Sequence, residues 1–303
     1  MSQRDVKNRI SSIQNIRKIT SAMEMVAAAR LRRAELRIAA LRPYADSIRR
    51  MTRQAADAAG VGEINQLPLL QVHEGEERVA LLLITADRGL AGAFNSQILR
   101  AGLRAQAEIE DAGQQAVFFA TGRRGVSSLT FRNREPEDAW TGFTERPVFA
   151  DAREVAQALM AAYVDGKIDR VEIFYNGYIS PLTQEVRRQV VLPVQEASVL
   201  PAPTEDDTVI EEDTAPQSAL VDYEPDPLTI LKQLIPDYVE LMIYRALLES
   251  SASELGARMT AMRSASENAG ELIEKYTLEM NRARQAEITQ EIMEVVGGAE
   301  ALS

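Results

Sequence analysis

At 303 residues, with 46% hydrophobic but only 5% aromatic residues, the chain is long enough for one large or two ordinary domains, and its composition favours long helices over a β-sandwich. It contains no cysteine, which excludes disulfides, thiolate metal sites and thiol catalysis. The net charge of −11 is uneven: residues 1–59 carry 13 Lys/Arg against 5 Asp/Glu, residues 195–226 carry 10 acids and no base, and residues 227–303 carry 7 bases against 12 acids.

Residues 1–59 are predicted to form one long helix over 3–58. An apolar seam with alternating spacings of three and four can be written through Ile13, Ile16, Thr20, Met23, Ala27, Arg30, Ala34, Arg37, Leu41, Tyr44, Ile48, Met51 and Ala55. Arg30 and Arg37 break that pattern, with Leu31 and Ile38 standing beside them. Pro43 lacks an N–H and is expected to kink or interrupt the helix, and Gly60 and Gly62 to end it. The basic residues are spread around the helix without interleaved aromatics, so nucleic acid is not an expected partner. Met1 leads straight into charged residues, so no secretory signal is expected, and no run of about 18 uncharged apolar residues is present to cross a bilayer.

Residues 75–194 alternate strands and helices. The run Val79 to Thr85 is continuously apolar up to its last residue, as for a strand buried on both faces. A helix follows over 95–111, a strand over 116–120, a helix over 151–164, a strand over 171–175 and another over 183–194. This order predicts a small, mostly parallel, Rossmann-like sheet. Residues 195–226 hold four prolines and read as a loose acidic loop, either a contact for a partner or a tolerated insertion.

Residues 227–303 hold the second long helix, expected over 227–296 and stopped by Gly297-Gly298. Its seam alternates four and three through Leu248, Ala252, Leu255, Met259, Met262, Ser266, Ala269, Ile273, Tyr276, Met280 and Ala283. The two helices would be rods of roughly 80 and 100 Å, too long for an ordinary compact domain. They must cover each other or be covered by another protein. Because they lie at opposite ends of the chain, they can pair only if the middle folds back between them. The predicted class is therefore α/β plus an antiparallel two-helix coiled coil from the N- and C-termini, with the Rossmann-like domain between.

Chemistry finds little purchase. Asp87-Arg88-Gly89-Leu90-Ala91-Gly92 has neither the G-x-G-x-x-G nor the G-x-x-x-x-G-K-[ST] spacing that cradles phosphates. Gly122-Arg123-Arg124-Gly125 reads as a tight turn with solvated arginines or as an anion site at a helix start. The single histidine, His73, lies in a polar turn and reads as a surface residue. With one histidine and no cysteine, a transition-metal site and a Ser-His-Asp constellation both lack their parts. No catalytic residue, cofactor or metal site is expected.

Three segments resemble the gamma subunits of F-type ATP synthases. They are Ile16 to Arg33 with Arg42-Pro43-Tyr44, Ile84 to Asn95, and Leu247 to Leu302, the last including Arg258 to Met262 and Tyr276 to Ile292. The resemblance runs end to end and fades between about 120 and 226. It implies a non-catalytic rotor shaft that couples ion-driven rotation of the c-ring to the catalytic cycle of an alpha/beta hexamer. It implies contacts with alpha, beta, epsilon and the c-ring, and a peripheral position on the cytoplasmic face of a bacterial membrane. Lys18, Met23 and Arg30 match positions facing the lower parts of beta, Met23 reading equally as a seam residue. Arg284, Gln285, Thr289 and Glu291 match positions that touch the hexamer's collar, and the tip Ile292 to Leu302 matches one seated in an apolar sleeve. The absence of cysteine departs from the chloroplast form, whose cysteine pair is a redox switch.

Overall fold

The computed structural model describes residues 3–59, 67–73, 75–194, 224 and 226–300. Residues 60–66, with the two glycines expected to end the first helix, and most of the acidic loop (195–223 and 225) lie outside them, as do 301–303.

The elements run α1 (Gln3–Ala59), β1 (Arg78–Ile84), α2 (Phe94–Asp111), β2 (Gln115–Thr121), α3 (Arg123–Thr130), β3 (Asp138–Trp140), α4 (Phe149–Val164), β4 (Arg170–Tyr178), β5 (Gln184–Leu192) and α5 (Pro227–Glu300). The chain separates into two units. One comprises Met1–Arg30 with Arg258–Ser303, the other Leu31–Ala257.

The larger unit is built on a five-stranded sheet in the order β3-β2-β1-β4-β5. β2 and β4 flank β1 in parallel, β3 continues the parallel series, and β5 returns antiparallel against β4. The apolar run of β1 is explained by burial on both faces. Ala80, Leu82 and Ile84 enter one cluster with α4, the end of α1 and the start of α5, while Val79, Leu81 and Leu83 enter another with α2 and Leu129 of α3. Gly102 lets α2 sit close on the second face, since a Cβ there would stand 2.5 Å from Leu83 Cδ2. The short α3 and β3 were not expected from sequence, because eight and three residues are too few to show a period.

Within each unit the terminal helices pair in opposite directions. In the smaller one Arg263 Nε meets Glu24 Oε1 at 2.9 Å, and Arg17 lies 3.7 Å from where a Cβ of Gly270 would stand. In the larger one Leu31 and Ala34 pack on Ala252 and Leu255. The α5 seam is as expected: Leu248, Ala252, Leu255, Met262 and Ala269 are buried, and Met259, Ser266, Ile273, Tyr276, Met280 and Ala283 half-buried.

The α1 seam needs correction. Every seventh position is right, and Met23 and Arg37 between them are half-buried, but the other intervening positions are not covered. Leu31 is 4% exposed whereas Arg30 is on the surface, and Ile16, Tyr44 and Met51 are exposed. The buried or half-buried line runs Val6, Ile10, Ile13, Thr20, Glu24, Ala27, Leu31, Ala34, Ile38, Leu41, Ala45, Ile48, Thr52 and Ala55. Leu31 takes the buried place while Arg30 stays on the surface, so that guanidinium keeps its water. Two helix-breaking expectations also fail. α1 passes through Pro43 without interruption, with Ser47 Oγ donating to the Pro43 carbonyl at 2.8 Å, and α5 passes through Gly297-Gly298 to Glu300. Glycine costs about 1 kcal/mol and proline about 3 kcal/mol in a helix interior, sums that tertiary contacts elsewhere along a long helix can outweigh.

Candidate functional site

In an open parallel sheet, the place to look for a ligand is the crevice beyond the strand C-termini where the strand order reverses. Here that crevice lies between β1 and β4. Its floor is closed by hydrogen bonds within the chain. Asn95 Oδ1 accepts the Ala86 N–H at 2.9 Å, and the Arg124 N–H is taken by the Ala86 carbonyl.

Asp87 fills the role a bound anion would have. Its carboxylate accepts the Gly142 N–H at 2.9 Å, the Thr144 hydroxyl at 2.8 Å, the Thr144 N–H at 3.1 Å and the Arg123 N–H at 3.2 Å. Burial alone would raise its pKa, but the bonds from Gly142, Thr144 and Arg123 outweigh burial and hold the carboxyl below the usual aspartate range. The helix start at Gly122 to Gly125 thus already holds an anion of its own. Gly122 has φ 86°, and a Cβ there would fall 2.2 Å from the Thr85 carbonyl oxygen, so only glycine fits.

The crevice itself is occupied by α5. Ser250 Oγ points to the Ile84 carbonyl at 3.5 Å, Ser251 Oγ donates to the Glu145 carbonyl at 3.0 Å, and Ser253 Oγ donates to the Asn176 carbonyl at 2.9 Å. The cavity left between Thr85, Phe94, Thr144, Leu247, Ser251 and Glu254 is about 10 Å³, space for at most one water molecule. A nucleotide has no room there.

Charged pairs fasten the same helix to β5 and to α4. Arg187 of β5 reaches Glu249 at 3.1 Å, and Arg245 reaches its other oxygen at 2.8 Å. Arg153 of α4 meets Glu240 at 2.9 Å and lies over the Phe149 ring. These carboxylates are nearly fully buried, and burying one is tolerable only because each is paired. The serines and acids of this stretch were missed from sequence. The signal was there, since Glu249-Ser250-Ser251-Ala252-Ser253-Glu254 is a polar run interrupting an otherwise apolar helix.

His73 is not a solvated surface residue, as its sequence context suggested. Its ring stacks on Tyr163 at 4.4 Å between centroids, and Nδ1 lies 2.9 Å from Asp169 Oδ1. Asp169 also accepts the Glu77 and Arg78 N–H groups. The arrangement clips the segment before β1 onto the start of β4. Among the described residues no group of His, Cys, Asp or Glu is gathered to hold a metal ion.

The residues matched to subunit contacts fall in the smaller unit. Lys18, Arg30, Arg284, Gln285, Thr289 and Glu291 are exposed, and Met23 is half-buried. Thr289 Oγ1 turns back to the Gln285 carbonyl at 2.8 Å.

A family model described as ATP synthase matches residues 2–302. The ATP synthase gamma chain of Rubrobacter xylanophilus is 41% identical over 302 residues, covering 100% of this chain and 99% of that one. That of Streptomyces avermitilis is 42% identical, covering 98% and 95%. Among solved structures, a chain of the Euglena gracilis mitochondrial ATP synthase rotor shares the fold, with a TM-score of 0.63 at 20% identity over 94% of this chain and 98% of that one. A chain from the OSCP/F1/c-ring structure of the same enzyme gives 0.69 at 20% identity over 99% and 94%. With the whole chain matched and its strand-end crevice filled by its own helix, this protein belongs to the ATP synthase gamma-chain family.

Proposed function

We infer that this chain is the central rotor shaft of an F-type ATP synthase, turning with a c-ring and carrying that rotation into an alpha/beta hexamer where ATP is made. It performs no bond-making step. Its contribution is conformational: a shaft shifts a catalytic subunit only by touching that subunit's alternative states unequally. Two helices of 57 and 74 residues, with different side chains on every face, lack threefold symmetry, so each of three beta subunits meets a different surface at any moment.

The observation that carries this reading is the antiparallel pairing of the terminal helices combined with the filled crevice. The first supplies paired helices for a shaft, and the second leaves no room for a nucleotide at the strand ends of the α/β domain. Lys18, Met23 and Arg30 would face the lower parts of beta, and Arg284, Gln285, Thr289 and Glu291 the collar. Ile288, Ile292, Met293 and Val295 are exposed toward the end of α5, an apolar stretch that a sleeve of surrounding subunits would cover. The α/β domain would stand beside epsilon and on the c-ring, at the cytoplasmic face of a bacterial membrane. No helix of the described residues is long and apolar enough to cross a membrane, which suits a peripheral attachment.

The test is reconstitution. The chain should co-purify with alpha and beta subunits, and ATP hydrolysis should require the assembly. Hydrolysis by the isolated chain, or a symmetric homodimer with no ATPase partner, would overturn the reading.

A further inference from the structure

On the rotor reading, a twisting load must cross between the sheet and the two helices. The apolar contacts hold the helices by close packing, and the hydrophobic effect behind them is non-directional. Directional bonds add resistance to sliding, and those that reach both helices from one strand gather at the C-terminal end of β4.

Asn176 is fully buried. Its carbonyl accepts the Ser253 hydroxyl of α5 at 2.9 Å, and its amide donates to the Phe94 carbonyl at 3.3 Å. Two residues on, the Tyr178 ring packs against the cluster of Leu31, Ala34, Ala252 and Leu255, which draws on both helices. The Tyr178 hydroxyl donates to Glu35 Oε1 of α1 at 2.5 Å. Between them Gly177 leaves no slack, since a Cβ there would stand 2.4 Å from Arg187 Nε, and Arg187 is itself bonded to Glu249 of α5. One strand end therefore holds α5 through Ser253, α1 through Glu35, and the gap between them with an aromatic ring.

We propose that Asn176 to Tyr178 is the joint through which torque passes between the α/β domain and the helix pair, with Tyr178 the positioning residue that stops the helices turning against the sheet. This rests on the rotor reading and names the place in the chain where that function is most exposed to failure.

The test uses the complete complex in sealed vesicles, with ATP hydrolysis and ATP-driven ion uptake read in the same preparation. Tyr178→Phe and Ser253→Ala each remove one hydrogen bond and little bulk. In the double variant, hydrolysis in vesicles made leaky by an ionophore stays at the wild-type rate. Ion uptake per ATP hydrolysed against a built gradient falls severalfold below the wild-type ratio. Glu35→Gln keeps an acceptor for Tyr178 and retains wild-type uptake. If the double variant does not assemble, Tyr178→Phe alone carries the test, with a smaller deficit in the same direction. Wild-type uptake per ATP in the double variant, or an equal loss in Glu35→Gln, overturns the joint while leaving the rotor reading intact. If the complex with the wild-type chain shows no coupled uptake, it is the rotor reading that falls.

Discussion

The Thr85 hydroxyl donates to the Thr121 carbonyl at 2.7 Å and accepts the Gly125 N–H at 2.8 Å, so one side chain ties the ends of β1 and β2 to the first turn of α3. Thr85→Val keeps the shape and removes both bonds, leaving a buried N–H without its acceptor. The expected loss is about 1–3 kcal/mol in chemical denaturation of the purified chain. Gly122→Ala should cost more, because its Cβ would meet the Thr85 backbone at a positive φ. Gly113→Ala, at φ 81° with open space around it, should lose only the conformational strain of about 1–2 kcal/mol. Equal losses at the two glycines would contradict the packing described.

The corrected seam of α1 is checked by two adjacent truncations. Leu31→Ala removes a buried side chain from the contact with Ala252 and Leu255 and should cost about 2–4 kcal/mol. Arg30→Ala touches the surface and should stay within about 1 kcal/mol. The reverse order in thermal unfolding would restore the displaced seam.

Acid should expose the Asp87 network. Its folded pKa lies below the unfolded value of about 3.9, so its contribution is present above that value and is lost as pH falls through the folded one. Asp169, likewise depressed although burial opposes it, through the Arg78, His73 and Glu77 contacts, adds loss of the same sign. Stability measured from pH 6 down to about pH 2 should fall less steeply for Asp87→Asn than for the wild type.

Base should act through Tyr163. Burial, then the nearby charges of Asp169 and Glu76, push its phenol up to about 12. A raised folded pKa gives stability that is complete below the unfolded value of about 10 and is lost as pH rises toward the folded one. Tyr163→Phe should abolish the part of the alkaline loss that falls in that window, read as the melting temperature across it. The same variant drops the hydroxyl's bond to the Gln71 carbonyl, so its melting temperature at neutral pH should also be lower.

How far the sequence could be read depended on the distance over which each residue finds its partners. β1 was plain from its own residues, because the six from Val79 to Ile84, buried on both faces, are all apolar. The α5 seam was plain from its spacing. The α1 seam was only half legible: two alternations share Ala27, Ala34, Leu41, Ile48 and Ala55, and only the facing helix decides between Arg30 and Leu31. Ser250, Ser251 and Ser253 read as neutral residues in a helix, since their acceptors belong to strand ends and loops some 77 to 166 residues away. His73 was misread for the same reason, with Asp169 lying 96 residues on. Pro43 and Gly297-Gly298 gave strong local signals that the long helices overrode.

The pairing of chain ends has a cost during synthesis. Leu31 leaves the ribosome more than 200 residues before Leu255, which covers it. At an elongation rate of about 5–20 residues per second that gap is roughly 10–45 s, during which the aliphatic edge of the first helix has no cover from the same polypeptide. Until the last segment emerges, that edge stays bare, and the paired helices can close only once the final quarter of the message has been read.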